Sequence, residues 1–387
     1  MDSELMPIGS TLGILGGGQL GRMMALAARV LGIRTMVWDP QPESPAFLVA
    51  DHHLSEPYDS EAAWDAFVSR VDRVTYEFEN INWRLAQRIA EEKPVFPSFD
   101  ILRICQERLR EKDAARAFGL ATTPYRRVQT AQDLLDAAKD LGTPGVLKTV
   151  SGGYDGKGQV VIGNAAEAIA VGQQLEASRV YIYEKWVAFT REVSVVVARD
   201  VHGNLVTYPA TENHHHRGIL DYSVVPAGVS EKERAALESA ARQLASGLEL
   251  VGVMALEFFV TDQGEILFNE MAPRPHNSGH WTIDAAWPSQ FMQHVRAVAG
   301  WPVLTPRWWS PVVMVNLLGD LFLDGDWSRL TRVAAMDGVQ LHWYEKREMR
   351  PGRKVGHVTI LADSRDRALA EARRIKEMLG GQWHDGA

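Results

Sequence analysis

Cysteine is nearly missing from this chain. Cys105 is the single one in 387 residues, so no intrachain disulfide can form and no cysteine-based zinc site can be assembled. Long apolar runs are missing too: nothing approaches the ~20 residues that a membrane-crossing helix needs. The first residues do not resemble a secretory leader, because Asp2 and Glu4 replace a basic segment and Arg22 interrupts the apolar stretch. There is no surplus of positive charge. Lys and Arg number 41 against 49 Asp and Glu, a formal net charge of −8 that argues against a general nucleic-acid binder. What remains is an ordinary globular composition, 46% hydrophobic and 23% charged, long enough for two or three domains with cores of their own. The expectation is a soluble cytoplasmic protein with no membrane and no nucleic-acid partner.

Thr11 to Leu15 reads as a short strand, Gly16-Gly17-Gly18-Gln19-Leu20-Gly21 as a turn, Arg22 to Leu31 as a helix, and Gly32 to Asp39 as a strand ending in an acid. Glycines at this spacing, with an acid placed like Asp39, fit a dinucleotide-binding βαβ unit. They equally let backbone approach any phosphate or carboxylate at a helix N-terminus. A helix from about Ser60 to Val71 and a strand from Arg73 to Phe78 continue the α/β pattern. Glu77 and Glu79 fall at the carboxyl end of that strand, where open α/β sheets bind ligands, or else they cap the next helix. Pro94 to Ser98 reads as a last short strand. Asp100 to Phe118 reads as a charged linking helix, with Arg108 and Lys112 one turn apart on a face expected to be solvated.

From Thr122 the pattern changes to a smaller α+β unit. A helix over Ala131 to Leu141 precedes the strand Thr143 to Val150, which carries Lys148 among apolar residues and therefore needs a charged partner. Ser151-Gly152-Gly153-Tyr154-Asp155-Gly156-Lys157-Gly158 follows, then a returning strand from Gln159 to Ile162. Glycine-rich backbone with two lysines suits a flap over nucleotide phosphates. It is not a Walker A loop, since no Ser or Thr follows Lys157 and the chain continues as strand. Tyr181 to Val187 ends where backbone groups, with Glu184, would meet an adenine edge. Arg191 to Ala198 and Asn204 to Tyr208 open what reads as a third and largest domain, Glu192 at its start. In Thr211-Glu212-Asn213-His214-His215-His216-Arg217, three successive histidines cannot easily serve one metal, so one functional member in an exposed run is expected.

After an amphipathic helix from Glu231 to Leu248, Val253 to Val260 and Glu265 to Asn269 read as a hairpin closed by Thr261-Asp262-Gln263-Gly264. With Val260 opposite Glu265, Glu257 and Glu270 share a face on a diagonal of roughly 7–8 Å, a gap that two glutamates can close onto one cation. Arg274, His276, Asn277, Ser278 and His280 follow at once.

Assembled in order, GILGGGQLGRM, TYEFEN, GYDGKGQ, EKWV…REVSVVV, TEN…HRGIL, NEMAPRPHNSGHWT and RPGRKVGHVT resemble the ATP-grasp superfamily, and within it the N5-carboxyaminoimidazole ribonucleotide synthetase family. The segments span residues 13 to about 359. The resemblance implies three domains of mixed α/β and α+β type: a Rossmann-like pre-ATP-grasp domain (1–107), a central flap domain with its linking helix (108–187) and a C-terminal domain (188–387). It implies ATP contacts from Arg108, Lys148, Gly153, Tyr154, Asp155, Gly156, Lys157, Gly158, Gln159, Glu184, Lys185, Trp186, Val187, Glu192, His215, Asn269 and Glu270. Two Mg²⁺ ions would be held by Glu257 and Glu270, and no nicotinamide or flavin is implied. Bicarbonate would meet Arg274, His276 and Asn277. Gln19, Leu20, Glu77, Tyr154, Asp155, Lys346 and Arg353 would surround 5-aminoimidazole ribonucleotide. A homodimer is expected from the resemblance alone. The chain departs from the family at Ala188 and Thr190, where Pro and Glu are usual, and at Glu345, where Gly is usual. Competing readings are another ATP-grasp carboxylate–amine ligase, an NAD(P)-dependent oxidoreductase built on Gly16–Gly18 and Asp39, and a nucleotide-binding regulator without turnover.

Overall fold

The structure is a computed structural model that describes residues 5–152 and 158–384. Gly153, Tyr154, Asp155, Gly156 and Lys157, all named above, lie outside the described residues.

Four short strands form the first sheet, in the spatial order His52–Leu54, Arg34–Trp38, Thr11–Leu15, Arg73–Tyr76, and all run parallel. Leu12, Ile14, Leu15, Met36, Val37 and Trp38 are fully buried, as strands covered on both faces by helices require. This is the Rossmann-like arrangement expected. Two local readings need correction. The segment Pro94–Ser98 makes only one bridge, Val95 to Val74, because Pro94 and Pro97 bracket it and offer no N–H to a ladder. The linking helix is two helices, Phe99–Cys105 and Arg108–Ala117, because the Arg108 N–H leaves the first helix and donates to Val150 O at 3.0 Å.

The central unit is a four-stranded antiparallel sheet, in the order Tyr125–Val128, Tyr181–Lys185, Gly145–Thr149, Gln159–Ile162, with helices Ala131–Leu141 and Ala165–Gly172 packed on it. The third is a nine-stranded sheet whose path runs Ile266–Ala272, Gly252–Thr261, Phe189–Arg199, Thr211–His216, Ile219–Val225, Val312–Leu318, Lys354–Leu361, Val339–Trp343, with Leu205–Thr207 paired to Phe189–Arg199. Helix Glu231–Gly247 and the two linking helices cover part of one face through Leu237, Leu244, Ile101 and Ala115.

Helix Gln290–Val298 joins the first and third units. Phe291, Val295 and Val298 share one core with Leu20, Met23 and Met24 of helix Gln19–Val30. Arg73 Nη1 donates to Val298 O at 2.8 Å, and Met6 N donates to Ala299 O at 2.9 Å. His294 is buried in the same seam. Its Nδ1 accepts from Val253 N at 3.1 Å, so its proton lies on Nε2 and is directed at Thr75 Oγ1, 2.8 Å away. Burial pushes this imidazole down to about 3.

That shift has a fixed sign. The unfolded chain takes up a proton on this ring near pH ~6.5 while the native ring stays neutral, so the contribution to stability is full above ~6.5 and falls by up to ~1.4 kcal/mol per pH unit on the way to ~3. Urea unfolding between about pH 7 and 4 is expected to show a flatter acid limb in His294→Gln than in the parent protein.

Candidate active site

The hairpin is one residue out of the expected register. Thr261 N donates to Glu265 O at 3.0 Å and Gly264 N to Thr261 O at 3.0 Å, so the turn pairs Thr261 with Glu265 and sets Val260 opposite Ile266. A bulge then absorbs Asn269 and brings Glu257 directly opposite Glu270, instead of on the diagonal. Burial, and Glu270 across the pair, push Glu257 up to about 8. Burial would raise Glu270 as well, but Arg108 and Lys148 outweigh it and hold Glu270 below the usual carboxylate range. Two opposed carboxylates, one driven toward its neutral form, are a donor set that a hard divalent cation fits.

The strand that carries Glu270 lies at the edge of its sheet, so its outward backbone groups need partners other than a strand. Helix Arg108–Ala117 supplies them. Lys112 Nζ donates to Asn269 O at 3.3 Å, Arg108 Nη1 to Glu270 Oε2 at 3.1 Å, and Met271 N to Glu111 Oε1 at 2.6 Å. Three successive residues are thus gripped by one helix face. The solvated face expected for Arg108 and Lys112 is wrong: Lys112 is 1% exposed and Glu111 3%. Sequence reasoning missed Glu111 altogether; the available signal was a Glu-Lys pair placed one turn after Arg108.

Glu184 joins this cluster from the central sheet. Lys148 Nζ lies 2.9 Å from Glu184 Oε2 and Lys112 Nζ 3.6 Å from Oε1. Burial would raise Glu184, yet Lys148 and Lys112 bring it below the ordinary range. Lys148 therefore has the partner its buried strand demanded. The Glu184 carboxylate pairs with the two lysines, and the Lys185 and Trp186 N–H groups donate to Pro124 O and Pro144 O. Trp186 is exposed and Val187 half-buried beyond them. Gly158 has φ +76 and Gln159 pairs with Lys148 in the returning strand.

The first Gly-rich turn is already filled with anions. Gly17 N donates to Asp39 Oδ2 at 2.6 Å, and Gly18 N and Gly21 N to the two Glu77 oxygens at 2.6 and 2.8 Å. The amides that would cradle a pyrophosphate are occupied, and Asp39 is not free for a ribose. Glu77 thus caps the helix before it. Glu79 binds Arg274, and the following helix Trp83–Ala90 is capped by Asn82. Gln19 is half-buried and Leu20 buried beside this turn. Lys346 faces it, pushed down to about 8 by burial and Arg353, with Glu77 opposing. Arg353 Nη1 donates to Glu348 O at 3.1 Å. Glu345 has φ +59, the region where glycine is favoured, and is anchored by Arg22 Nη1 at 2.8 Å.

On the third wall, Arg274 is buried and contacts Glu79 Oε2 at 2.5 Å. His276 Nε2 lies 3.6 Å from Glu257, and burial, with Arg274 nearby, keeps the ring neutral at ordinary pH. Both amide atoms of Asn277 are buried without a partner. The three histidines separate cleanly: His214 pairs with Glu212 and stacks on Tyr222, His216 stacks on His384, and His215 pairs with Glu192. Glu192 lies inside the strand Phe189–Arg199 and not at its start. Among the described residues Asp284, His342 and His357 also approach one another within 4.8 Å. His342 Nε2 is bonded to Asp284, and the two imidazoles stack at 4.4 Å and 11°, so their in-plane lone pairs run side by side and do not converge on an ion.

Lys112→Met is expected to lower stability by ~3 kcal/mol, as breaking a buried pair does. Removing the exposed Arg88–Glu61 pair should leave stability nearly unchanged, since solvent screens it. Denaturant unfolding of both variants distinguishes a buried linkage from a surface one.

Three family profiles match in succession: the ribonucleotide synthetase preATP-grasp domain over residues 9–106, the ATP-grasp domain over 113–291, and the phosphoribosylaminoimidazole carboxylase C-terminal domain over 312–371. The chain is 41% identical over 372 residues to the N5-carboxyaminoimidazole ribonucleotide synthase of Bacillus subtilis, covering 96% of each. It is 43% identical over 360 residues to that of Brucella melitensis, covering 93% of this chain and 98% of the relative. A crystal structure of an N5-carboxyaminoimidazole ribonucleotide synthetase in complex with ADP superposes with a TM-score of 0.92 at 43% identity, covering 98% of this chain and 99% of that one. The enzyme from Aspergillus clavatus in complex with ADP and 5-aminoimidazole ribonucleotide superposes with a TM-score of 0.89 at 27% identity, covering 96% and 99%. An ATP-grasp core, the acid pair at its sheet edge and relatives matched along nearly their whole length agree: this chain belongs to the N5-carboxyaminoimidazole ribonucleotide synthetase family of ATP-grasp ligases.

Proposed function

We propose that this protein carboxylates 5-aminoimidazole ribonucleotide with ATP and bicarbonate, giving N5-carboxyaminoimidazole ribonucleotide, ADP and phosphate in purine biosynthesis. The observation that carries this reading is the position of the Glu257–Glu270 pair. It stands between the Lys148–Glu184–Lys112 cluster on one side and Arg274, His276 and Asn277 on the other. A nucleotide half-site and an anion half-site therefore meet at one acidic edge.

In the first step a bicarbonate oxygen attacks the γ-phosphorus of ATP, the bond to the β-phosphate oxygen breaks, and carboxyphosphate and ADP form. The exocyclic amine then attacks the carboxyl carbon, loses a proton, and expels phosphate. Mg²⁺ ions held by Glu257 and Glu270 would offset the charge on the transferring phosphoryl group. Arg108 and Lys148 add fixed positive charge, and Gly153 to Gln159, with Lys157, supply the flap. Lys185, Trp186, Val187, Glu192 and His215 complete the nucleotide side. Arg274 orients the planar bicarbonate, although Glu79 already takes part of its guanidinium. The free amide of Asn277 offers one donor and one acceptor to the same anion. Gln19, Leu20, Glu77, Tyr154, Asp155, Lys346 and Arg353 form the ribonucleotide side. We read residues 1–107, 108–187 and 188–387 as the three working parts of a cytoplasmic homodimer.

The oxidoreductase reading loses its support, since Asp39 already holds the Gly17 amide and Glu77 the Gly18 and Gly21 amides. Coupled measurement of ADP release, omitting each substrate in turn, tests the reaction: release should require bicarbonate and the aminoimidazole ribonucleotide together. ADP formed equally well with an amino acid or formate and no bicarbonate would assign a different ATP-grasp ligase.

Glu270→Ala should lower turnover by roughly 10²-fold or more while the fold is retained. Arg274→Ala should raise the KM for bicarbonate more than that for ATP. Lys346 loses its charge as pH rises through about 8, so the KM for the ribonucleotide should climb above that pH. Lys346→Arg should remove the climb, read from initial rates across the range.

A further inference from the structure

A row of polar side chains crosses the large sheet where apolar ones would be expected. Glu270 faces Glu257, Glu257 faces Ser194 in the next strand, and Asn213 and Ser223 face each other in the two strands after that. Ser194, Asn213, Ser223 and Ser278 are all buried, at 0, 5, 0 and 0% exposure. Val193 and Val195 flank Ser194 in its own strand, so a polar atom left unpaired at these buried positions is costly.

They are paired in one direction only. Ser223 Oγ donates to Asn213 Oδ1 at 2.9 Å, Asn213 Nδ2 to Ser194 Oγ at 2.9 Å, and Ser194 Oγ to Ser278 Oγ at 2.8 Å. The amide of Asn213 sets the direction: its oxygen can only accept and its nitrogen can only donate. Ser278, having accepted from Ser194, has its own hydrogen left for His276 Nδ1, 2.9 Å away. Ser278 N donates to the same nitrogen at 3.3 Å. Two donors therefore converge on Nδ1, which leaves the proton of the neutral ring on Nε2, the nitrogen 3.6 Å from Glu257.

We propose that Ser223, Asn213, Ser194 and Ser278 form a positioning relay that locks His276 as a hydrogen-bond donor at Nε2, directed at an oxygen of the bicarbonate-derived group. In this role His276 is not the base that deprotonates the amine, because the nitrogen that faces the reacting groups already carries a proton. The assignment rests on the carboxylation reading above. Ser194, Asn213 and Ser223 touch no substrate and act only through His276.

The direct test is the imidazole ¹⁵N spectrum of histidine-labelled protein, with the His276 signals identified by their loss in His276→Gln. The wild-type ring should show Nδ1 unprotonated and Nε2 protonated; the opposite assignment overturns the proposal whether or not the protein turns over. Ser194→Ala breaks the relay. Asn213→Asp keeps its shape but accepts from Ser194, which reverses the relay's direction. Each should raise the KM for bicarbonate about 5- to 10-fold, with the KM for ATP changed less than about twofold, as loss of one net hydrogen bond predicts. Unchanged bicarbonate KM in both variants, or equal losses for ATP and bicarbonate, would sink it. Should either variant fail to fold, the wild-type spectrum still decides. A wild-type protein that needs no bicarbonate would overturn the carboxylation reading while leaving the tautomer measurable.

Discussion

Two part-buried carboxylates set face to face do not both stay charged without help, and much of this molecule is arranged around that constraint. Glu257 and Glu270 are set opposite by a one-residue bulge, and the proton affinity of Glu257 rises as a result. The compensation is deliberate in its geometry. Arg108 neutralises one acid, Glu111 and Lys112 of the same helix face satisfy the backbone on either side of it, and Lys112 passes the linkage on to Glu184 and Lys148. Each of these groups would be costly alone in such surroundings. Together they form a closed network of charge that connects the central sheet to the edge of the large one.

The cores explain why that network can be accurate. The first and third units share apolar side chains across helices Gln19–Val30 and Gln290–Val298, so the helix after the Gly-rich turn and a helix that follows the Arg274–His280 loop pack in one core. The large sheet is also continuous from the strand Ile266–Ala272 to the strand Val339–Trp343, although different family profiles match its two parts. Lys346 follows directly from that far end. The acid pair, the Arg274–His280 loop and the basic segment are therefore tied to a common frame.

Much of this was legible from residues in the chain, and the failures have physical causes. The parallel first sheet, the central sheet and the pairing requirement of Lys148 followed from periodicity and from the cost of burying a lone ammonium. Register did not. Whether Thr261 pairs with Glu265 depends on how the turn closes, and a bulge leaves no trace in hydrophobic alternation. The environment of Lys112 was misread because a helix face with Arg, Glu and Lys looks solvated until another element is laid on it. Ser194 and Asn213 carried no signal of their own; their meaning lies in which strands become neighbours. The segment from Gly153 to Lys157 was legible as a Gly-rich flap, and it lies outside the described residues.

The turn at Gly16 to Gly21 has one further consequence. Backbone amides gathered at a helix start ordinarily wait for a ligand to bring the negative charge. Here Asp39 and Glu77 deliver it from within the chain, so the wall is complete before any substrate arrives. A self-supplied anion repels phosphates from the very amides that would otherwise attract them. What this end of the molecule presents is therefore carboxylate, which accepts from cationic or hydrogen-donating groups, and not a ring of free amides.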